Sequence, residues 1–312
     1  MNERRIVAII DEEWLSGSRY PEFVGTGSTK TAIERGRAAD LSSPEVVGGI
    51  VDDPRADKVL SALDFGKPVV LSPESLAVLI RKASNPAATL LERDWIPLLP
   101  VGLSAEVLAA AEVLKSEALG VIRSCHLTTY VGPLATREWE QDAPFARSFF
   151  EATVLGLDLL ASLFGTYVNS TRWVTVDVEA NFGIAVHHLD AGVVAIQEIL
   201  PSRLAASPLF TATVDCEDGR VLLRNEFAPS GMTVWEAQPR SFRCPVFARE
   251  KPNVQAPDTV RGGVETTVLI TALANGGRDG LPTREHALEI LRHAITFGIV
   301  APKTQSETEE EV

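Results

Sequence analysis

Residues Ser43 to Ala77 read SPEVVGGIVDDPRADKVLSALDFGKPVVLSPESLA, and their pattern decides the fold. Val46 to Val51 is a short apolar run rich in β-branched residues. From Pro54 to Phe65 the apolar residues Val59, Leu60 and Leu63 recur at helical spacing, Gly66 closes the helix, and Pro68 to Leu71 forms a second apolar run. Strand, helix and strand in so short a stretch predict a parallel crossover. Asp53 reads as the helix N-cap and Pro54 as its first residue. Asp52 and Asp53 close the first strand and Glu74 follows the second, at the carboxyl edge where such sheets bind ligands.

Further along, strands are expected at Val121 to Val131, Ser170 to Val178, Ile184 to His188, Val193 to Leu200, Leu209 to Asp215 and Arg220 to Glu226. Turn pairs at Asp190 to Gly192 and Asp218-Gly219 link several of them as hairpins, which predicts an antiparallel sheet. Helices expected near Ala105 to Ser116, Phe145 to Phe164, Val264 to Asn275 and Thr283 to Phe297 would cover one face of it. WIPLLP, beginning at Trp95, carries two prolines and reads as the passage between domains.

Composition narrows the function classes. With 29 basic against 42 acidic residues the formal charge is −13, which argues against nucleic acid and anionic membranes as partners. No apolar run reaches the length of a membrane span, and MNERRIVAII has too short an apolar core for a signal peptide, so a cytoplasmic location is expected. Cys125, Cys216 and Cys244 are odd in number and lack C-x-x-C spacing, as in a reducing compartment. Lys303 to Val312 reads as an acidic, disordered tail.

The chain resembles the Gfo/Idh/MocA family of NAD(P)-dependent sugar and inositol oxidoreductases. The resemblance rests on FGKPVVLSPESLAVLIRKA from Phe65, SAEVLAAAEVLKSEALGVIRSCHLTTYVGP from Ser104, LGLDLLASLFG from Leu155 and TALANGGRDGLPTREHALEILRHAITFGIV from Thr271. It implies an α/β fold: a Rossmann-like dinucleotide-binding domain over residues 1–96, then an α+β domain with a large, mostly antiparallel sheet over 97–302. Residues 303–312 would be the tail. The spacing from Ile6 to Ser72 places IVAIID as the family's second strand, so the first domain is expected to be truncated, without its first strand and phosphate-binding helix. No G-x-G-x-x-G follows a strand, and VGTGSTK, Val24 to Lys30, reads as a loop.

The chemistry of the family is replaced position by position. Ser72-Pro73-Glu74 stands where the family carries its E-K-P lysine, and the nearest lysine, Lys67, belongs to the turn. The family's Asp, His and Asp of the next motif are here Glu151, Leu155 and Asp158. Oxidising a carbinol needs a base that can take the hydroxyl proton, which leucine cannot be and a glutamate can be once burial raises its pKa. Two like charges roughly 6 Å apart repel by about 3 kcal/mol at an effective dielectric of about 20, so Asp52, Asp53 and Glu74 oppose a pyrophosphate at that edge. The reading that follows is a Gfo/Idh/MocA-like oxidoreductase homologue acting as a non-catalytic subunit or a ligand- or partner-binding scaffold, with no cofactor expected. The alternative is an active NAD(P)-dependent oxidoreductase on a sugar, inositol or related polyol, with Glu151 as base, Asp11 on the ribose, and Asp53 and Pro54 at the cofactor by family position. Asp11 reads first as a polar residue capping the turn after its strand.

Other constellations are weaker. His187 and His188 point to opposite faces of a strand and His188 shares one with Asp190, while His126, His286 and His293 have no ligand-like spacing, so no metal is expected. His286 and His293 share a helical face and read as surface or packing residues. Arg137, Trp139 and Glu140 fall in a loop where family substrate loops occur, so a carbohydrate-like molecule is one reading and loop anchoring another. A lyase or isomerase would need Glu151 to meet Tyr130 or His126. The runs WVTVDV and VVAIQEIL do not alternate cleanly, which favours a homo-oligomer, or a hetero-oligomer with an active relative, through the second sheet.

Overall fold

The computed structural model describes residues 5–10, 23–24, 31–53, 55–82, 93–99, 101–131, 147–177, 182–201, 209–224, 231–238, 241–242, 269, 271–276 and 281–298. Two sheets organise these residues. The first contains β1 (Arg5–Ile10), β2 (Phe23–Val24), β3 (Thr31–Arg35), β4 (Val46–Asp52), β5 (Val69–Leu71) and β6 (Trp95–Pro97), in the order β2-β3-β1-β4-β5-β6. All neighbours are parallel except β2 and β3. Helices α1 (Ala56–Leu63) and α2 (Pro73–Lys82) follow β4 and β5, as the crossover pattern requires.

A parallel strand is covered on both faces and so lacks polar alternation. That is the state of β4, where only Val47 is not fully buried. Alternate residues feed two cores: Val51, Val69 and Leu71 join Val59, Ala62, Leu63 and Leu76 on the α1–α2 side. Ile6, Ala8, Ile50, Val70, Ile96 and Leu98 pack on the other side against Leu269, Leu273 and Ala274. A Cβ on Gly48 would sit 2.7 Å from the Pro68 carbonyl oxygen and 2.8 Å from Leu273, which explains the glycine. Gly66, at φ +67, ends the α1 turn in the left-handed region.

Three expectations shift. β1 bonds directly to both β3 and β4, so it holds the central place from which the chain leaves in both directions, and Ile10 is level with Asp52. Among the described residues the parallel set has five strands, fewer than the full dinucleotide-binding order, yet Ile10 at the end of β1 lies at the switch point itself and not one strand away. Trp95–Pro97 is a strand, not a linker, because its apolar residues complete the core beside β5. Leu269, Leu273 and Ala274 return to the first sheet, so the division at residue 96 separates the sequence more cleanly than the cores.

The second sheet has β7 (Ile122–Val131), β8 (Val168–Asp177), β9 (Phe182–Leu189), β10 (Val194–Pro201), β11 (Leu209–Cys216), β12 (Gly219–Arg224), β13 (Gly231–Gln238) and β14 (Ser241–Phe242). Its order is β14-β13-β12-β11-β7-β10-β9-β8, antiparallel except for the β7–β10 pair. Helices α3 (Ala105–Lys115) and α4 (Arg147–Phe164) lie together with a third, α5 (Arg284–Gly298), and α4 packs on α2, which joins the two halves in one apolar core. Ser104 caps α3 through its side chain. The tail and half of Val264 to Asn275 lie outside the described residues, among which 269 and 271–275 are helical.

Candidate functional site

The carboxyl edge of β4 and β5 is built from a short polar clip. Ser72 precedes α2, its Oγ accepts the Ser75 backbone N–H at 3.2 Å, and the Leu76 N–H reaches the Ser72 carbonyl, an N-cap arrangement. Ser75 Oγ in turn accepts the Asp53 N–H at 3.1 Å and lies 3.0 Å from the Asp53 carbonyl oxygen, tying the end of β4 to the first turn of α2. Glu74 stands in that turn, fully buried, where the helix dipole favours a carboxylate.

Asp53 does not cap α1. The helix begins at Ala56 with Arg55 as N-cap residue. Both Asp53 oxygens are instead occupied by Arg55, through Nε at 2.8 Å, Nη2 at 2.6 Å and the backbone N–H at 2.9 Å. Asp53 is 1% exposed, so its desolvated charge requires a bidentate partner, and the guanidinium fork supplies one. The uncompensated charge expected from Asp53 at this edge is therefore offset. Asp52 is also fully buried. Asp11 and Pro54, the other two residues expected at the cofactor, lie outside the described residues, as do Arg137, Trp139, Glu140 and Cys244.

Glu151, Leu155 and Asp158 follow one another at i, i+4 and i+7 along α4 and share a stripe. Glu151 is 6% exposed, and Leu155 packs against the main core. Lys67 spends its ammonium on the carbonyls of Ser43 and Val46, and burial lowers its pKa. It fastens the start of β4 and does not replace the missing E-K-P lysine. His126 and Tyr130 alternate with the helix-covered Cys125, Leu127 and Thr129 on β7, which puts them on the open face of the sheet. Glu151 lies on the covered side, so the acid–base combination of Glu151 with Tyr130 or His126 is not assembled.

Two polar chains escaped the sequence reading. In one, the buried His187 Nε2 donates to Gln197 Oε1 at 3.0 Å, and Gln197 Nε2 donates to the Ala152 carbonyl at 2.9 Å on α4. His187 Nδ1 then accepts from Thr171 Oγ1 at 2.7 Å, and burial depresses the imidazole pKa to about 4. In the other, His286 Nε2 meets Asp158 Oδ1 at 2.8 Å and its Nδ1 meets the Tyr167 hydroxyl at 3.3 Å. Asp158 Oδ2 is buried without a hydrogen-bond partner. Burial first, then Glu289, Asp158 and Glu285, push the Tyr167 pKa up. The Asp158 position in the motif was a signal for this pair, but no local pattern pointed to His286.

Cys125 is buried, and burial with Asp215 nearby pushes its thiol up to about 12, so it is not a nucleophile. Among the described residues no group of three or more His, Cys, Asp or Glu side chains could hold a metal ion. No described helix is long and apolar enough to cross a membrane.

No protein-family model matches this sequence, and no curated protein does. Solved structures do. An oxidoreductase domain protein from Kribbella flavida aligns over 96% of both chains at 15% identity with a TM-score of 0.63. The aldose-aldose oxidoreductase from Caulobacter crescentus, complexed with glycerol, aligns over 95% of this chain and 96% of its own at 12% identity with a TM-score of 0.65. A putative NADPH-dependent oxidoreductase from Desulfitobacterium hafniense covers 95% and 94% at 14% identity with a TM-score of 0.63. At such identities the likeness is one of fold: a Rossmann-like parallel sheet followed by a mostly antiparallel one, the two-domain fold of Gfo/Idh/MocA-type oxidoreductases.

Proposed function

We propose that this chain is a non-catalytic member of the Gfo/Idh/MocA group, serving as a subunit or binding scaffold that associates with itself or with an active relative through the open face of its second sheet. The observation that carries the reading is Leu155. At the family position of the catalytic histidine it packs against the apolar core, where hydride transfer would need a group able to accept a proton. Pro73 at the lysine position supports it, since the first turn of α2 carries no cation there and Glu74 beside it is fully buried. Asp53 and Arg55 satisfy one another at the switch-point edge, so this pair has no need of a ligand's charge.

The test is calorimetric titration of the full chain with NADH and with NADPH, beside a thermal-shift control. The expected result is no binding up to millimolar cofactor and no NAD(P)-dependent turnover of sugars or polyols. Binding tighter than about 10 μM, roughly −7 kcal/mol, would overturn the reading and make Glu151 the first residue to substitute.

A further inference from the structure

The first turn of α5 is anchored on both sides, on one to the parallel sheet and on the other to α4 and the residue before β8. Thr283 opens the helix: its carbonyl accepts the Ala287 N–H and its Oγ1 the His286 N–H at 3.1 Å. On one side Arg284 reaches β6, the edge of the parallel sheet, through Nε to the Trp95 carbonyl at 3.1 Å and Nη2 to Asp94 at 3.0 Å. Its guanidinium lies 5.7 Å from the Trp95 ring centroid. On the other side His286 reaches Asp158 on α4 at 2.8 Å and Tyr167 just before β8 at 3.3 Å.

We propose that this turn is a clasp that fixes how the parallel-sheet half sits against α4, and with it the placement of Glu151 and Leu155 relative to Asp53 and Glu74. Three features support a positioning role over ordinary packing. The anchors lie two residues apart, so neither can hold its geometry if the turn frays. The Trp95 carbonyl sits on the outermost described strand of its sheet, where Arg284 binds it as a neighbouring strand would. Asp158 is buried with only one of its oxygens bonded, a cost that apolar packing at the same place would avoid and that the directed bond to His286 explains.

Hydrogen exchange by mass spectrometry on the full chain tests this, read on the peptides spanning β6, α4 and α5. Arg284→Ala removes the bonds to Trp95 and Asp94 at the first sheet, so a clasp predicts roughly tenfold faster exchange around Asp158 to Phe164 as well as at β6. His286→Ala predicts the reciprocal loosening at Trp95 to Pro97. His293→Ala, in the same helix and paired with Glu289, is expected to leave both regions unchanged. If Arg284→Ala does not fold, Arg284→Lys, which loses the fork and keeps the charge, must give the same crossed pattern. Loosening confined to the side of the substituted anchor, or the same pattern from His293→Ala, would overturn the clasp.

Discussion

Gly156 shows how much a single position in α4 can carry. A Cβ there would lie 2.2 Å from Gln197 Nε2 and 2.5 Å from its Cδ. The amide is the flexible end of its side chain, but it is not free to swing: Nε2 bonds the Ala152 carbonyl and Oε1 accepts from His187, both in the buried core. Moving it would leave two buried polar groups without partners, each a cost of about 1–3 kcal/mol. Gly156→Ala is therefore expected to destabilise the fold by roughly 2–4 kcal/mol although alanine is the better helix former. Urea unfolding measures this, and a loss under about 0.5 kcal/mol would mean that the amide relocates without cost. The sequence offered LGLDLL as a family-like motif but gave no reason for its glycine, because Gln197 is 45 residues from Ala152 along the chain. The polarity of Asp53 was legible at its position, whereas its capture by Arg55, two residues on, displaced the capping role that its spacing suggested.

At the scale of elements, many strands were readable from their own residues, whereas their order in the sheet was not. β9 and β10, joined through Asp190 to Gly192, fall within two residues of their expected ends. β3 and β13 gave no signal, and β1 was assigned the neighbour's place because strand spacing does not reveal strand order. The meeting of β8, β9, β10 and α4 at His187 makes a prediction about acid. His187 has a folded-state pKa of about 4 against an ordinary 6.5, so below pH 6.5 the unfolded chain binds a proton that the folded chain refuses. This contribution is fully present above pH 6.5 and is lost as pH falls toward 4, where it amounts to about 3 kcal/mol. His187→Gln, which cannot titrate, is expected to flatten the fall in urea midpoint between pH 6.5 and 4 relative to the parent. Parallel pH profiles for the two proteins would show that His187 protonates without disturbing Thr171 and Gln197.

For the molecule as a whole, the open face of the second sheet is the surface that the proposed role depends on. The buried residues of β10 are Ala195, Gln197 and Ile199, so Val194, Ile196, Glu198 and Leu200 face away from the helices, each only partly buried. On β9 the matching set is Ile184 and Val186, with Ile196 opposite Val186 and Glu198 opposite Ile184. Val194, Ile196, Leu200, Ile184 and Val186 form an apolar patch in the middle of the sheet, interrupted by Glu198. A two-fold pairing would bury the patch against its own copy, with each substitution counted twice. Losing one such side chain forfeits about 1.5–3 kcal/mol of burial, and a glutamate facing its symmetry mate adds repulsion. Ile196→Glu should therefore weaken self-association by at least about a hundredfold, since roughly 2.7 kcal/mol corresponds to that factor. Sedimentation velocity over a micromolar concentration series reads it directly: the parent chain is expected to sediment as a dimer and Ile196→Glu as a monomer with unchanged circular dichroism. A parent chain that stays monomeric throughout would remove self-pairing from the proposal, and a variant that still dimerises would move the contact to another face.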